Sequence, residues 1–236
     1  MKLFIKKLIL GKPIHNEAPI QSAISKHIHN IHSIWENEQH DDIGLEKLLR
    51  LFLAISQFLF IGTYLKQFTG RYGIAFRDFT VELLVLLKVA FPLLIIINHW
   101  QHLTLVVWGM IWLMIETLLH VSTLIFASDN LSRPCSYKRA MLLVFFNYIE
   151  IILDFAVIYS SGNYLNKPFA STFDPIYFSC ITSATIGYGD FVPVTDFGKV
   201  LVCCQSLIFL IFAVLFINFF TTKVENHGYF DHSNTK

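Results

Sequence analysis

Four stretches of this chain, residues 80–98, 103–127, 140–160 and 198–222, are long, apolar and almost free of Lys and Arg. Each approaches the ~20 residues that a helix needs to cross a ~30 Å hydrocarbon core. Composition agrees, since a chain that is 54% hydrophobic and 15% charged has ample apolar surface to bury and is neither disordered nor collagen-like. With 18 Lys and Arg against 17 Asp and Glu, a net charge of +1 makes no electrostatic case for nucleic-acid binding. The expectation is a multi-pass, all-α membrane protein.

Residues 1–44 read as a polar, irregular N-terminal region, with scattered histidines that have no compact metal-ligand spacing. Its first ten residues hold three lysines but no long apolar run or small-residue cleavage site. They read as a basic patch on an anionic leaflet or a solvated tail, not as a signal peptide. Residues 45–127 read as peripheral transmembrane helices. Among them Leu48–Leu65 is long enough to span yet carries Arg50, Ser56 and Gln57, and residues 80–98 contain Pro92 as an expected kink. A polar, basic link precedes residues 140–222, and residues 223–236 form a cytoplasmic tail too short for a ligand-sensing domain.

Between the last two spans, residues 161–197 behave differently. A Ser-Gly-Asn turn leads through Pro168 and Pro175 into a short run, Pro175 to Ala184, that breaks at two glycines. About ten residues cannot span a membrane, so this run reads as a re-entrant half-helix, tolerated only where protein or water satisfies the freed backbone groups. It ends in TSATIGYGD, Thr182 to Asp190. That stretch resembles the signature of the potassium-channel pore family, and the likeness extends over residues 140–222.

The resemblance implies a re-entrant pore helix and filter between two spanning helices, closed into a ring by four copies. Its filter would be Thr185, Ile186, Gly187, Tyr188 and Gly189, with K+ held at Thr185, Ile186, Gly187 and Tyr188 as the transported ion and no cofactor. Backbone carbonyls replace the ion's hydration shell in such a filter, and Gly187 and Gly189 lack the Cβ that penalises the backbone this requires. Ile186 and Tyr188 are expected to point away from the axis and pack on the pore helix. The carbonyl end of that helix, near Ala184, would favour a cation.

Several positions depart from the family pattern. Tyr177 and Phe178 stand where a Trp pair is common, and the Tyr177 hydroxyl is expected to brace Asp190 behind the filter. Ile181 replaces a buried Glu found in some members, and Ala184 a common Thr. The last span has no mid-helix glycine. Phe212, Phe216 and Phe219 share one of its faces, as a hydrophobic gate or as packing.

A conventional voltage sensor is not expected, because Arg50, Arg71, Arg77, Arg133 and Arg139 form no series within a span. Intramembrane polar pairs do occur. Glu116 with His120, and Glu150 with Asp154, lie four residues apart and read as polar clamps or as a proton-sensitive element, and Glu82 with Lys88 is another possible clamp. The four cysteines match no zinc spacing and read as packing.

The family places its filter toward the outside of the cell membrane, which puts the basic link inside, in accord with the positive-inside rule. Counting backwards leaves five spans with the N-terminus outside, or four with residues 48–65 interfacial or re-entrant. The functional expectation is passive, K+-selective conduction by a homotetramer in lipid. A non-conducting regulatory or structural subunit with a pore-like fold is the alternative, and no converging polar cluster suggests an enzyme.

Overall fold

A computed structural model describes residues 23–36, 44–70, 74–126 and 137–225. The proposed N-terminal basic patch, Cys135 and the C-terminal tail lie outside the described residues. All named elements are helical: α1 (Ala23–Trp35), α2 (Leu45–Ser56), a 3-10 turn at Gln57–Leu59, α3 (Ile61–Gly70), α4 (Ile74–Ile97), a 3-10 turn at Trp100–His102, α5 (Thr104–Phe126), α6 (Tyr137–Ser160), α7 (Asp174–Ser183) and α8 (Asp196–Glu225). Four contain windows long and apolar enough to cross a membrane: Phe79–Ile97, Thr104–Phe126, Lys138–Ser160 and Asp196–Asn218. The protein is an all-α, multi-pass membrane protein.

Two compact units divide the chain, one of residues 1–90 with 112–133, the other of residues 91–111 with 134–236. In the first unit, α1 corrects the reading of residues 1–44 as wholly irregular. Ile24, Ile28, Ile31 and Trp35 recur at helical spacing, a short apolar stripe that the surrounding His, Asn and Ser residues obscured. Lys47 of α2 meets its end, donating to the Trp35 carbonyl at 2.9 Å.

Residues 48–65 are not one straight helix. The chain turns by 63° between α2 and α3 at Phe60, whose backbone is extended. Neither proline nor glycine occupies that position. Instead the Ser56 hydroxyl donates to the Leu53 carbonyl at 2.8 Å and the Thr63 hydroxyl to the Gln57 carbonyl at 2.9 Å, local bonds that compete with the regular ladder. The break frees backbone donors at the start of α3, and Glu116 Oε1 accepts one of them, from Gly62 N–H at 3.3 Å. A carboxylate at a helix N-terminus is also favoured by the helix dipole.

The other acid oxygen meets the span's one basic residue. Lys88 Nζ of α4 lies 3.3 Å from Glu116 Oε2 and 3.1 Å from the Thr117 hydroxyl, all well buried. Lys88 is therefore clamped by Glu116 of the next helix. The two sites are neighbours across the helix pair, a relation that sequence spacing does not encode. His120 stands with its ring edge-on to Phe60, 6.4 Å away.

In the second unit, α4 stops at His99, which takes a left-handed φ of 56°, and the chain turns into α5. Asn98 bonds the Leu94 carbonyl twice, from its backbone N–H at 3.0 Å and from its side-chain amide at 2.8 Å. Helices α6, α7 and α8 pack together, with α7 held between its two long neighbours. The last turns of α6 are buried on all sides, with Ile151, Leu153, Phe155, Ala156, Val157 and Tyr159 among the buried residues. Glu150 and Asp154 are buried in the same helix, at 1% and 2% exposure.

Candidate pore-lining site

The site begins with the short helix α7. Pro175 occupies its first turn, where the missing N–H costs nothing. The Asp174 carboxylate closes the loop before it, accepting from Ala170 N–H at 2.7 Å, Ser171 N–H at 3.0 Å and the Ser171 hydroxyl at 2.7 Å. The Ser171 hydroxyl first, and then the backbone donors, hold this carboxyl below the usual carboxylate range.

From the other end of α7 hangs the strip read as the filter. Thr185 N–H donates to the Thr182 carbonyl at 3.0 Å and Ile186 N–H to the Ile181 carbonyl at 2.9 Å. Thr185, Gly187 and Gly189 then take positive φ values of 55°, 56° and 82°. An added Cβ would meet nothing within 4 Å at either glycine. Their requirement is therefore backbone conformation alone, not space.

Thr185 is the unexpected member of this alternation, since a β-branched residue resists the left-handed region by about 1–2 kcal/mol. Its two backbone anchors to α7 lie on either side of that cost. A chain whose every second residue is left-handed turns its successive carbonyls toward one side, whereas an ordinary strand alternates them.

Beyond the strip the chain is pinned to the loop that leaves α6. Asn166 N–H donates to the Val192 carbonyl at 2.9 Å, while Val192 N–H donates to the Asn166 side-chain oxygen at 3.0 Å. Val194 N–H reaches the Tyr164 carbonyl at 3.0 Å. Gly198 is needed here for a close approach, because a Cβ on it would stand 3.0 Å from the Tyr164 carbonyl oxygen. The Thr195 hydroxyl oxygen caps α8, accepting from Gly198 N–H at 3.1 Å.

Behind the strip, aromatic rings fill the place of the missing Trp pair. Phe178 is buried and meets Tyr159 at 4.8 Å and Phe191 at 6.1 Å, while Phe191 also meets Phe169 at 5.1 Å. Lys167 lies over the Phe191 ring at 4.4 Å. Burial first, and a hydrogen bond to Asp190 second, push the Tyr177 hydroxyl pKa up. Ile181 is buried among these groups.

Ile186 and Tyr188 are 53% and 69% exposed in the single chain. Two of the phenylalanines read as a gate or as packing meet the Tyr148 ring of α6. Phe212 is 1% exposed and its ring lies 5.2 Å from Tyr148 of α6, with Phe216 6.4 Å from the same ring. The Phe219 side chain lies outside the described residues.

Gln205 escaped the sequence reading altogether. It is 1% exposed on α8 and bonds to both α6 and α7. An amide in the middle of an apolar span was the available signal. Among the described residues no group of three or more His, Cys, Asp or Glu could hold a metal ion.

Residues 142–226 match the sequence model of a family described as "Ion channel". Among curated proteins the chain is similar to potassium voltage-gated channel subfamily KQT member 1 of Xenopus laevis, at 28% identity over 73% of this chain and 27% of that protein. It is also similar to subfamily A member 2 of Xenopus laevis, at 29% identity over 43% of this chain and 20% of that one. Subfamily A member 7 of Homo sapiens is 31% identical over 43% of this chain and 22% of its own length. The chain thus spans roughly a quarter or less of the length of these relatives. No solved structure matches it. Residues 142–226 thus match an ion-channel family model, and the chain is similar to these potassium channels.

Proposed function

We propose that the chain conducts K+ passively and selectively across the membrane, through a pore that four copies enclose. The observation that carries this reading is the alternation of positive φ at Thr185, Gly187 and Gly189, directly after a half-helix too short to span. Stacked carbonyls from such strips replace the hydration shell of a dehydrated cation, with the Thr185 hydroxyl as an innermost ring. One strip has only one side to offer an ion. Closed symmetry supplies the remaining walls, and a neighbouring copy covers the exposed Ile186 and Tyr188 side chains.

The relatives are voltage-gated by name, but that property is not carried over to this chain. Lys88 is the only basic residue well inside the four long spans, and it is ion-paired with Glu116.

Reversal potentials of the purified chain in lipid, with K+ on one side and Na+ on the other, test the reading. Selective K+ current supports it. Equal permeabilities, or no current from an intact tetramer, defeat it.

A further inference from the structure

Gln205 joins three helices through one side chain. Its amide oxygen accepts from the Tyr159 hydroxyl of α6 at 2.8 Å. Its amide nitrogen faces the Ser179 carbonyl at 3.0 Å, the Ser179 hydroxyl at 2.8 Å and the Ser183 hydroxyl at 2.6 Å, all on α7. Two amide hydrogens serve these three acceptors, so one is shared. The Ser179 hydroxyl passes its own proton onward to the Ile152 carbonyl of α6 at 2.6 Å, and Ser183 hydrogen-bonds Tyr148.

Packing alone does not call for this residue. Leu or Met would fill a similar volume in an otherwise apolar helix, whereas a buried amide is costly unless its partners are all in place. What the amide adds is register. It is satisfied only when α8 stands at one height and rotation relative to the last turn of α7. That last turn bears the strip: Ser183 ends α7, and Thr185 and Ile186 hang from the carbonyls of Thr182 and Ile181.

We propose that Gln205 is a positioning residue for the filter, acting through Ser183 to set where the Thr185 ring of oxygens lies and coupling it to the placement of α8. The assignment deepens the reading of the strip as a K+ filter and rests on it. Movement of α8 is then felt at the filter, without a hinge glycine in the helix.

The test compares Gln205→Leu, Ser183→Ala, the double variant and wild type, each purified as the assembled channel in lipid. The readouts are the K+ to Na+ permeability ratio and the decay of current in low external K+. Either single variant should speed the decay about five- to tenfold, the factor expected from one lost internal hydrogen bond. High external K+ should suppress the change, because ions bound in the strip oppose its collapse. The double variant should decay no faster than the worse single one, since both changes cut the same connection.

A purely structural amide would lower thermal stability without moving the dependence of decay on external K+, and that result would overturn the assignment. So would Ser183→Ala behaving as wild type, or two fully additive effects. If Gln205→Leu does not assemble, Ser183→Ala decides alone, because it removes one oxygen and leaves the amide its bonds to Ser179 and Tyr159. A wild-type channel without K+ preference defeats the filter reading itself, whereas a selective wild type with an unaffected Ser183→Ala defeats only the role of Gln205.

Discussion

Lys88 and Glu116 form a buried ion pair, 3.3 Å between Nζ and Oε2, with side chains 8% and 7% exposed. Neither charge belongs in an apolar span by itself. Together they hold α4 against α5, and through Gly62 N–H they also hold the start of α3. The pair can be tested by exploiting the asymmetry between breaking it and replacing it. Glu116→Gln leaves a buried ammonium without its counter-ion and should cost about 3–5 kcal/mol. Replacing both partners by apolar residues, Lys88→Met with Glu116→Leu, should recover most of that loss. Stability in detergent against a denaturant measures both. A double variant as unstable as the single one would show that Glu116 acts through the α3 terminus instead.

The contact of Phe212 with Tyr148 separates packing from gating. Removing a buried Phe from a soluble core costs about 3–5 kcal/mol. In lipid the released apolar surface is still solvated by hydrocarbon, so only the packing share is lost, on the order of 2 kcal/mol. Phe212→Ala is therefore expected to lower the unfolding midpoint while its resting current stays as in wild type. Constitutive current through the variant would show that the ring closes the conduction path.

The four spans were legible because lipid imposes a length and forbids charge, two demands that a single sequence displays directly. The strip after α7 was legible for a different reason: it holds an unusual backbone, and its two glycines announce it. Thr185 gave no such sign, since its left-handed backbone comes from the anchors on α7 and not from its own preference. The break at Phe60 was equally hidden, because hydroxyls of Ser56 and Thr63 produce it without proline or glycine. Pairings across helices, Lys88 with Glu116 and Gln205 with Ser183, depend on packing that periodicity along one helix does not report.

Asp174 sets a limit on the pH range of the outer loop. Its folded pKa is depressed, by the Ser171 hydroxyl first. A depressed carboxyl stabilises the fold fully above its unfolded value of about 3.9 and loses that contribution as pH falls through the lower folded value. Between pH 5 and 8 the contribution should be flat. Asp174→Asn keeps one acceptor oxygen but not the charge, so the variant should be less stable than wild type at neutral pH. The two stability curves should converge once the pH falls below that lowered folded value. Curves that stay parallel down to that pH would mean that the charge contributes nothing to the loop.

Tyr177 and Asp190 offer the last comparison, because their bond closes the outer end of the strip while the φ pattern lies within it. Asp190 Oδ1 is buried with no hydrogen-bond partner among the described residues, while Tyr177 hydrogen-bonds the same carboxylate. Removing the hydroxyl by Tyr177→Phe takes away one hydrogen bond and keeps the ring. That is too little to undo the fold. It is enough to change, by about fivefold, the time for which the strip remains conductive. Selectivity should survive, since Thr185, Gly187 and Gly189 keep their conformations. The raised pKa of Tyr177 adds a pH signature: the neutral hydroxyl is favoured in the fold, so its contribution is complete below about pH 10 and disappears as pH rises through the folded value. Single-channel dwell times of wild type and Tyr177→Phe, recorded near neutral pH under matched K+, decide the matter. Equal dwell times would show that the strip is held by α7 alone, and a loss of K+ preference would show that the brace shapes the ion sites themselves.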